Sequence, residues 1–376
     1  MKKRAKGRLK SGRWFLFVVK WGLFLTVLAS LILALPRVES HPAIKALVSR
    51  VDSDLLANIE SLGVLAGVVA IAIEWPERRS EQRKRLRYEA WQVILSTRGQ
   101  KTCDLRIQAL QDLNQANIDL TEIDLEGARL RTIDLRHARL AQSNFCEAEL
   151  HGANLTNADL SNAFMSRVEM PGARLVSTNL SGCELKRANL TEANLQFADL
   201  TGAKLAQTRL QLARLDKAKL KDAKLPKAWL DEAILSNADL YRAKADQAVF
   251  RDANLAGADL RQASLVGANL KRADLRGANL IGTNLSGADF TEAKLQGANL
   301  YQASLAGADL KQVNLRGANL SGTDLRNADF TDANLQGVKW DDSTHWRLAV
   351  GLLLARNLPV KVKDYLKMLT LASYTR

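Results

Sequence analysis

The chain is governed by a word of five residues, repeated without insertion from Ile118 to Trp340. Of the 45 positions at multiples of five from 120 to 340, leucine fills 37. The other eight are Phe145, Met165, Met170, Ala245, Phe250, Phe290, Phe330 and Trp340. With the leucine position called i, alanine takes 33 of the 45 positions at i−2. Position i−1 is usually Asp or Asn, as in Ala153-Asn154-Leu155, and all 15 glycines of the stretch fall at i+2. A repeat this strict decides the architecture before local propensity is consulted.

A period of five excludes a helix, because successive leucines land about 140° apart around the cylinder and no face collects them. In an extended segment, residues two apart share a side. Alanine at i−2 and leucine at i then point inward together, while Asp or Asn at i−1 points out. Positions i+1 and i+2 form a corner, where glycine tolerates backbone angles that other residues avoid. The expected shape is a coil of short extended segments around a leucine core. Spacing alone leaves the number of segments per coil open.

The A-(D/N)-L-x-x pattern resembles the pentapeptide-repeat family, over about three fifths of the chain. The resemblance implies an all-β solenoid, a right-handed quadrilateral β-helix with four words to each coil. The 45 words would then make about 11 coils, stacked at ~4.8 Å into a rod on the order of 50 Å long. Residues 20 apart would lie above one another, with stability shared between neighbouring coils. Ala245 in a leucine slot should leave a local gap costing ~2–5 kcal/mol, which Phe250 in the next word would fill in part.

A net charge of +14 suggests a polyanionic partner until it is divided along the chain. Residues 1–104 carry 19 Lys/Arg against 9 Asp/Glu, residues 105–340 carry 29 against 28, and residues 341–376 carry 6 against 3. The repeat region is close to neutral, so no nucleic-acid partner is expected, since that footprint needs a basic stripe on the binding domain itself. Neutrality also weighs against an acidic nucleic-acid mimic, the mode of some gyrase-binding relatives that the resemblance brings in. Three cysteines, Cys103, Cys146 and Cys183, exclude a fully paired disulfide framework and fit a reducing compartment. Cys183 stands in an alanine slot and should be a small buried hydrophobe.

Ahead of the repeats, residues 1–13 form a basic arm with seven Lys/Arg. Residues 14–35 are an apolar run broken only by Lys20, long enough to cross a bilayer. A cleaved signal peptide is the rival reading, but its apolar core would be shorter. Residues 55–75 make a marginal second span, in which Gly63 and Gly67 form a notch suited to helix packing in lipid; a buried soluble helix is the alternative. The 36–54 loop holds three Lys/Arg, whereas residues 78–87 hold six. The positive-inside rule then predicts a hairpin with an external 36–54 loop, both ends cytoplasmic and residues 78–87 near anionic lipid. Within 76–114, the pattern predicts a juxtamembrane helix from Pro76 to about Arg98, with Leu86, Ala90 and Ile94 on one face. A second helix, about Cys103–Leu113, would cap the first coil. The solenoid is bounded at 115–340, and residues 341–376 are read as a helical cap with helices at Trp346–Ala355 and Val360–Leu371. Homodimerisation through this cap, as in some family members, or a membrane-surface helix are its alternatives.

No catalytic, cofactor-binding or metal-binding residues emerge. The four histidines are scattered, and no metal-ligand spacing, nucleophile elbow or phosphate-cradling glycine loop is present. Asp at i−1 belongs to the repeat and carries no catalytic signal. One stretch departs from the pattern: no glycine lies between Gly202 and Gly257, and five successive i−1 residues are basic, namely Lys204, Arg209, Arg214, Lys219 and Lys224. In a four-sided coil these rotate around the rod as a belt. Arg209, Trp229 and Val249, 20 apart, would form a column with a cation–π contact at its head, a composition suited to partner binding. The expectation is a membrane-tethered, non-catalytic scaffold whose rod faces the cytoplasm and binds an unidentified protein. The alternatives are a gyrase-type regulator acting by mimicry, and a soluble or secreted repeat protein if the apolar segments do not span.

Overall fold

The computed structural model describes residues 88–94, 96, 104–358 and 362. The chain divides into two units, Met1–Glu89 and Ala90–Arg376. The described residues fall almost wholly in the second. The expected spans at 14–35 and 55–75 and the 78–87 basic cluster lie outside the described residues. So do Gly63 and Gly67, and the helix packing expected of Gly63 and of Gly67 therefore stays a reading of the sequence. Among the described residues, no helix is long and apolar enough to cross a membrane.

From Asp124 onward the chain is a stack of parallel bridges. Asp124 pairs with Asn144, Arg129 with Glu149, and so on at a separation of 20 residues as far as Asn319 with Lys339. Four words therefore close one coil, and each coil presents four faces. The faces are distinguished here by their residues in one coil: face 1 carries Lys204, face 2 Arg209, face 3 Arg214 and face 4 Lys219. Faces 2 and 4 are opposite. Each face is a column of i−1 residues, with leucines and i−2 residues buried behind it.

The backbone accounting shows why each letter of the word is what it is. The leucine N–H donates to the i−1 carbonyl of the next coil, as Leu125 to Asn144 at 2.7 Å. The i−1 N–H donates to the i−2 carbonyl of the preceding coil, as Asn144 to Ile123 at 2.9 Å. The i+2 N–H reaches the next coil's i+1 carbonyl, as Gly127 to Cys146 at 2.9 Å. The i−2 N–H closes the corner onto the leucine just before it, as Ala128 to Leu125 at 3.1 Å. Only the i+1 N–H has no ladder partner, and there the Asp or Asn at i−1 supplies one. Asp124 Oδ1 accepts the Glu126 N–H, Asn144 Oδ1 the Cys146 N–H and Asn254 Oδ1 the Ala256 N–H. The polar i−1 residue is thus an Asx-type turn cap.

The corner itself has the form of a type II turn, with positive φ confined to i+2. Glycine is frequent there but not obligatory. Thr132 (φ 56°), Phe197 (φ 59°) and Leu212 (φ 58°) adopt the same angle, held by hydrogen bonds to the next coil. Proline takes i+1 at Pro171 and Pro226, where φ near −65° is wanted and no ladder bond is forfeited.

The polar exceptions at i−2 follow one rule. The buried hydroxyls of Ser143, Thr178, Thr208, Thr283 and Thr323 donate to the leucine-slot carbonyl 23 residues earlier, as Thr178 to Leu155 at 2.8 Å. Cys183 Sγ does the same to Leu160. Ala245 and Phe250 are both buried in the common core.

The ends are handled differently. Helix Asp104–Gln115 buries Ala109, Leu110 and Leu113 in the core. It stops with Asn117 in the left-handed region (φ 58°), where the Ile118 N–H donates to the Leu113 carbonyl and the Asn117 N–H to the Asn114 carbonyl. Asn114 Nδ2 then donates to the Arg136 carbonyl of the first coil at 3.0 Å. Residues 88–94 are helical, with Ala90 and Ile94 buried as their shared face requires.

At the other end, the expected helix at Trp346–Ala355 is replaced by more coil, so the solenoid outruns its 340 boundary. His345 bridges Asp324, Val350 bridges Asp329 and Arg356 bridges Asn334, at separations lengthened by one or two residues. The reason lies in the slots. Thr344 and Trp346 occupy inward positions, and the backbone N–H groups of His345, Val350 and Arg356 are already donated to the coil before. Gly351 follows Val350 in the leucine slot and brings no side chain to it. The Trp346 indole covers the end of the core instead, 5.6 Å from the Phe330 ring and 6.2 Å from Trp340. Val362 is helical and fully buried; the remainder of the expected 360–371 helix lies outside the described residues.

Candidate docking surface

The five basic i−1 residues do rotate around the rod, Lys204 and Lys224 on face 1, Arg209 on face 2, Arg214 on face 3 and Lys219 on face 4. Their surroundings break the expected belt. Lys204 pairs with Glu184 directly above it in the stack, Lys219 lies 3.7 Å from Asp199, and Arg214 lies 3.7 Å from Asp216. Arg209 and Lys224 have no carboxylate partner among the described residues. Pairing with neighbouring carboxylates therefore leaves the uncompensated members of this belt on faces 1 and 2.

Face 2 carries the expected column. Arg209 bridges Trp229 and Trp229 bridges Val249. The Arg209 guanidinium stands 5.5 Å from the centre of the Trp229 ring. Trp229 is 40% exposed, while Val249 is half-buried. Grooves flank the indole on both sides. One, about 620 Å³, is lined by Arg187, Gln207, Arg209, Lys227, Trp229 and Gln247. The other, about 470 Å³, runs along Gln211, Trp229, Asp231, Val249, Arg251 and Asn269. Gln211 Oε1 is shielded from solvent there without a hydrogen-bond donor.

Two further stacks of the same kind occupy corners of neighbouring coils. Lys217 lies 5.6 Å from the Phe197 ring, and Tyr241 sits between Lys221 at 5.7 Å and Arg261 at 5.6 Å. These are column partners 20 residues apart, which sequence reading found only for Arg209 and Trp229. The signal was available: a cation and an aromatic at the same word position, four words apart.

Among the described residues no group of His, Cys, Asp or Glu has metal-binding geometry. Several of the carboxylates with lowered pKa are turn caps gripped by arginine, as Asp134 by Arg136, Asp259 by Arg261 and Asp324 by Arg326, each also accepting that arginine's own N–H. Burial pushes the Cys183 thiol up to about 12 and raises that of Cys146. Neither thiol is primed as a nucleophile.

The sequence pattern that defines pentapeptide repeats matches eight copies between residues 116 and 339. The chain belongs to the pentapeptide-repeat family. Solved structures similar to this chain include other pentapeptide repeat proteins. HetL, a pentapeptide repeat protein of the cyanobacterium Nostoc sp. strain PCC 7120 involved in heterocyst differentiation regulation, is 33% identical. That match covers 62% of this chain and 96% of HetL, with a TM-score of 0.26. Rfr23, from the cyanobacterium Cyanothece 51142, is 36% identical over 31% of this chain and 63% of its own, with a TM-score of 0.17. Full-length QnrB1, a plasmid-mediated fluoroquinolone resistance protein, is 20% identical over 45% of this chain and 92% of its own, with a TM-score of 0.28. No curated protein matches the sequence.

Proposed function

We propose that this chain is a membrane-tethered, non-catalytic scaffold that presents face 2 of its rod to a protein partner at the cytoplasmic side. The carrying observation is the Arg209–Trp229–Val249 column. A half-exposed indole with an arginine over it, set between two grooves, and Val249 after it interrupt a face whose other i−1 residues from 129 to 329 are polar or charged. Tryptophan and arginine are among the residues on which interface energy concentrates. A stack of coils is rigid along its length, so a partner meets a preformed surface. The tether and the orientation are supported by sequence alone, through the apolar runs at 14–35 and 55–75 and the cationic excess at 1–13 and 78–87.

A photo-reactive phenylalanine analogue placed at 229, and separately at 239 on opposite face 4, tests the docking surface in cells. A discrete protein adduct from 229 and none from 239 is expected; equal adducts from both, or none from either, overturn the proposal. The tether is tested by labelling the native cysteines with a membrane-impermeant thiol reagent, followed by alkali washing of the membrane pellet. Labelling only after permeabilisation, with the chain retained in the pellet, is expected. Labelling in intact cells places the rod outside.

A further inference from the structure

We infer that the corner joining faces 1 and 2 is a docking site for an acidic, extended peptide segment of a partner protein, with the Trp229 indole as its apolar anchor. This rests on the scaffold reading and names the chemistry of its partner. The observation behind it is where charge is left over once ion pairs are made. In the belt coils, Lys204, Arg214, Lys219, Arg242 and Arg251 are matched by Glu184, Asp216, Asp199, Asp222 and Asp231. Among the described residues, Arg187, Arg209, Lys224, Lys227 and Lys244 have no carboxylate partner. All five converge on one edge of the rod. Lys224 and Lys244 are on face 1, Arg187 and Lys227 are at the corner itself, and Arg209 is on face 2. Lys217 and Lys221, also without carboxylates, sit elsewhere over Phe197 and Tyr241. The corner's one acid, Asp246, is spent on the Ser264 hydroxyl and the Val266 N–H.

The groove there is lined by three of the five cations, two neutral glutamines and the indole. Arg187 and Lys227 are two coils apart, about 10 Å, which an extended peptide spans with carboxylates about three residues apart. A side chain between them meets Trp229, and the neighbouring groove offers Val249 beyond it. The patch runs over only three coil steps, about 15 Å, and the repeat region as a whole is close to neutral. A duplex needs a longer basic stripe than that. The chain's own flanking segments are disfavoured as occupants, because residues 1–104 and 341–376 are both net positive. Charge complementarity selects an acidic segment from another protein.

The test uses the full-length chain in mild detergent and a fluorescent peptide of alternating glutamate and leucine, read by anisotropy. The double variant Arg187→Gln with Lys227→Gln is compared with Lys204→Gln with Lys219→Gln, which removes the same net charge from paired cations. The first is expected to weaken binding by about tenfold or more and the second by less than about twofold. Raising NaCl from about 50 to about 300 mM should weaken wild-type binding steeply, and Trp229→Ala should weaken it in either salt. Circular dichroism verifies that each variant is folded. Absence of binding, or equal losses in both double variants, overturns the inference. Tighter binding of a single-stranded oligonucleotide at the same residues reassigns the site to nucleic acid. Tighter binding of short-chain phosphatidylserine reassigns it to lipid headgroups. A partner cross-linked at 229 alongside a peptide that does not bind would sink this inference and leave the scaffold reading standing. Peptide binding with no cellular adduct would do the reverse.

Discussion

Proline at the corner separates turn-capped words from uncapped ones, and two alanines make the comparison clean. Ala206 and Ala256 both stand at i+1. The Ala256 N–H is accepted by Asn254 Oδ1 at 3.0 Å. The word of Ala206 carries Lys204 at i−1, and the Ala206 N–H finds no acceptor among the described residues; the next residue down its column is already Pro226. Replacing either alanine by proline restricts the unfolded chain, a gain of ~0.4–1 kcal/mol where the native angles suit it. At 256 the substitution also deletes a hydrogen bond of net worth ~0.5–1.5 kcal/mol. Ala206→Pro should therefore stabilise its coil, and Ala256→Pro should be neutral or destabilising. The two differ by about 1 kcal/mol, or about fivefold in local opening. Because a solenoid need not unfold in one step, the assay is site-resolved hydrogen exchange. The Arg187 amide, bonded to the Ala206 carbonyl at 2.9 Å, reports on one site, and the Asn237 amide, bonded to the Ala256 carbonyl at 2.9 Å, on the other. Pro226→Ala should lose what Ala206→Pro gains. Equal shifts in both proline variants would refute the idea that Asp and Asn at i−1 act as turn caps.

Four other outcomes follow from the core, the turn caps and the last coil. Cys183→Ser should be nearly neutral, since a hydroxyl can take over the 2.8 Å bond to the Leu160 carbonyl, whereas Cys183→Val should destabilise; thermal melts compare them. With its thiol pushed to about 12, Cys183 should resist maleimide in the folded chain, and its contribution to stability should fade from about pH 9, where the unfolded thiol ionises, towards about pH 12. The arginine-gripped Asp134, Asp259 and Asp324 sit below the usual aspartate value of 3.8, so their stabilisation is present above that pH and is lost below it; urea midpoints measured from about pH 5 to about pH 2 should fall only in the acid part of the range. Trp346→Ala should cost ~3–5 kcal/mol at the last coil, seen as faster exchange of the His345 amide, which donates to the Thr323 carbonyl, with the coil of Leu215 unaffected.

Most of the cross-section could be read from the five-residue word. Inward alanine and leucine, the outward i−1 column and the corner at i+1 and i+2 all follow from the alternation of an extended chain. The reason for Asp and Asn at i−1 was not legible that way, because it depends on which backbone N–H the ladder leaves over. Nor was the tolerance of Thr132 or Leu212 for positive φ, which comes from bonds to the next coil rather than from residue type. The misread helix at 346–355 has a similar cause. Inserted residues broke the five-residue phase, yet Thr344 and Trp346 still filled the slots of Thr323- and Leu325-like words once the loop was absorbed. At the docking surface, the Arg209–Trp229–Val249 column was legible from its spacing of 20, but the symmetric belt was not what formed.

The sequence by itself determined what each residue of a word does, since inward, outward and corner positions are properties of a few bonded neighbours. Only the tertiary structure decided how many words make a coil, and so which residues stand one above another. That vertical register is set by closing a square around leucine and by hydrogen bonds between coils. It is why Glu184 neutralises Lys204, why Arg187, Arg209 and Lys227 remain uncompensated on one edge, and why the indole of Trp229 lies among them.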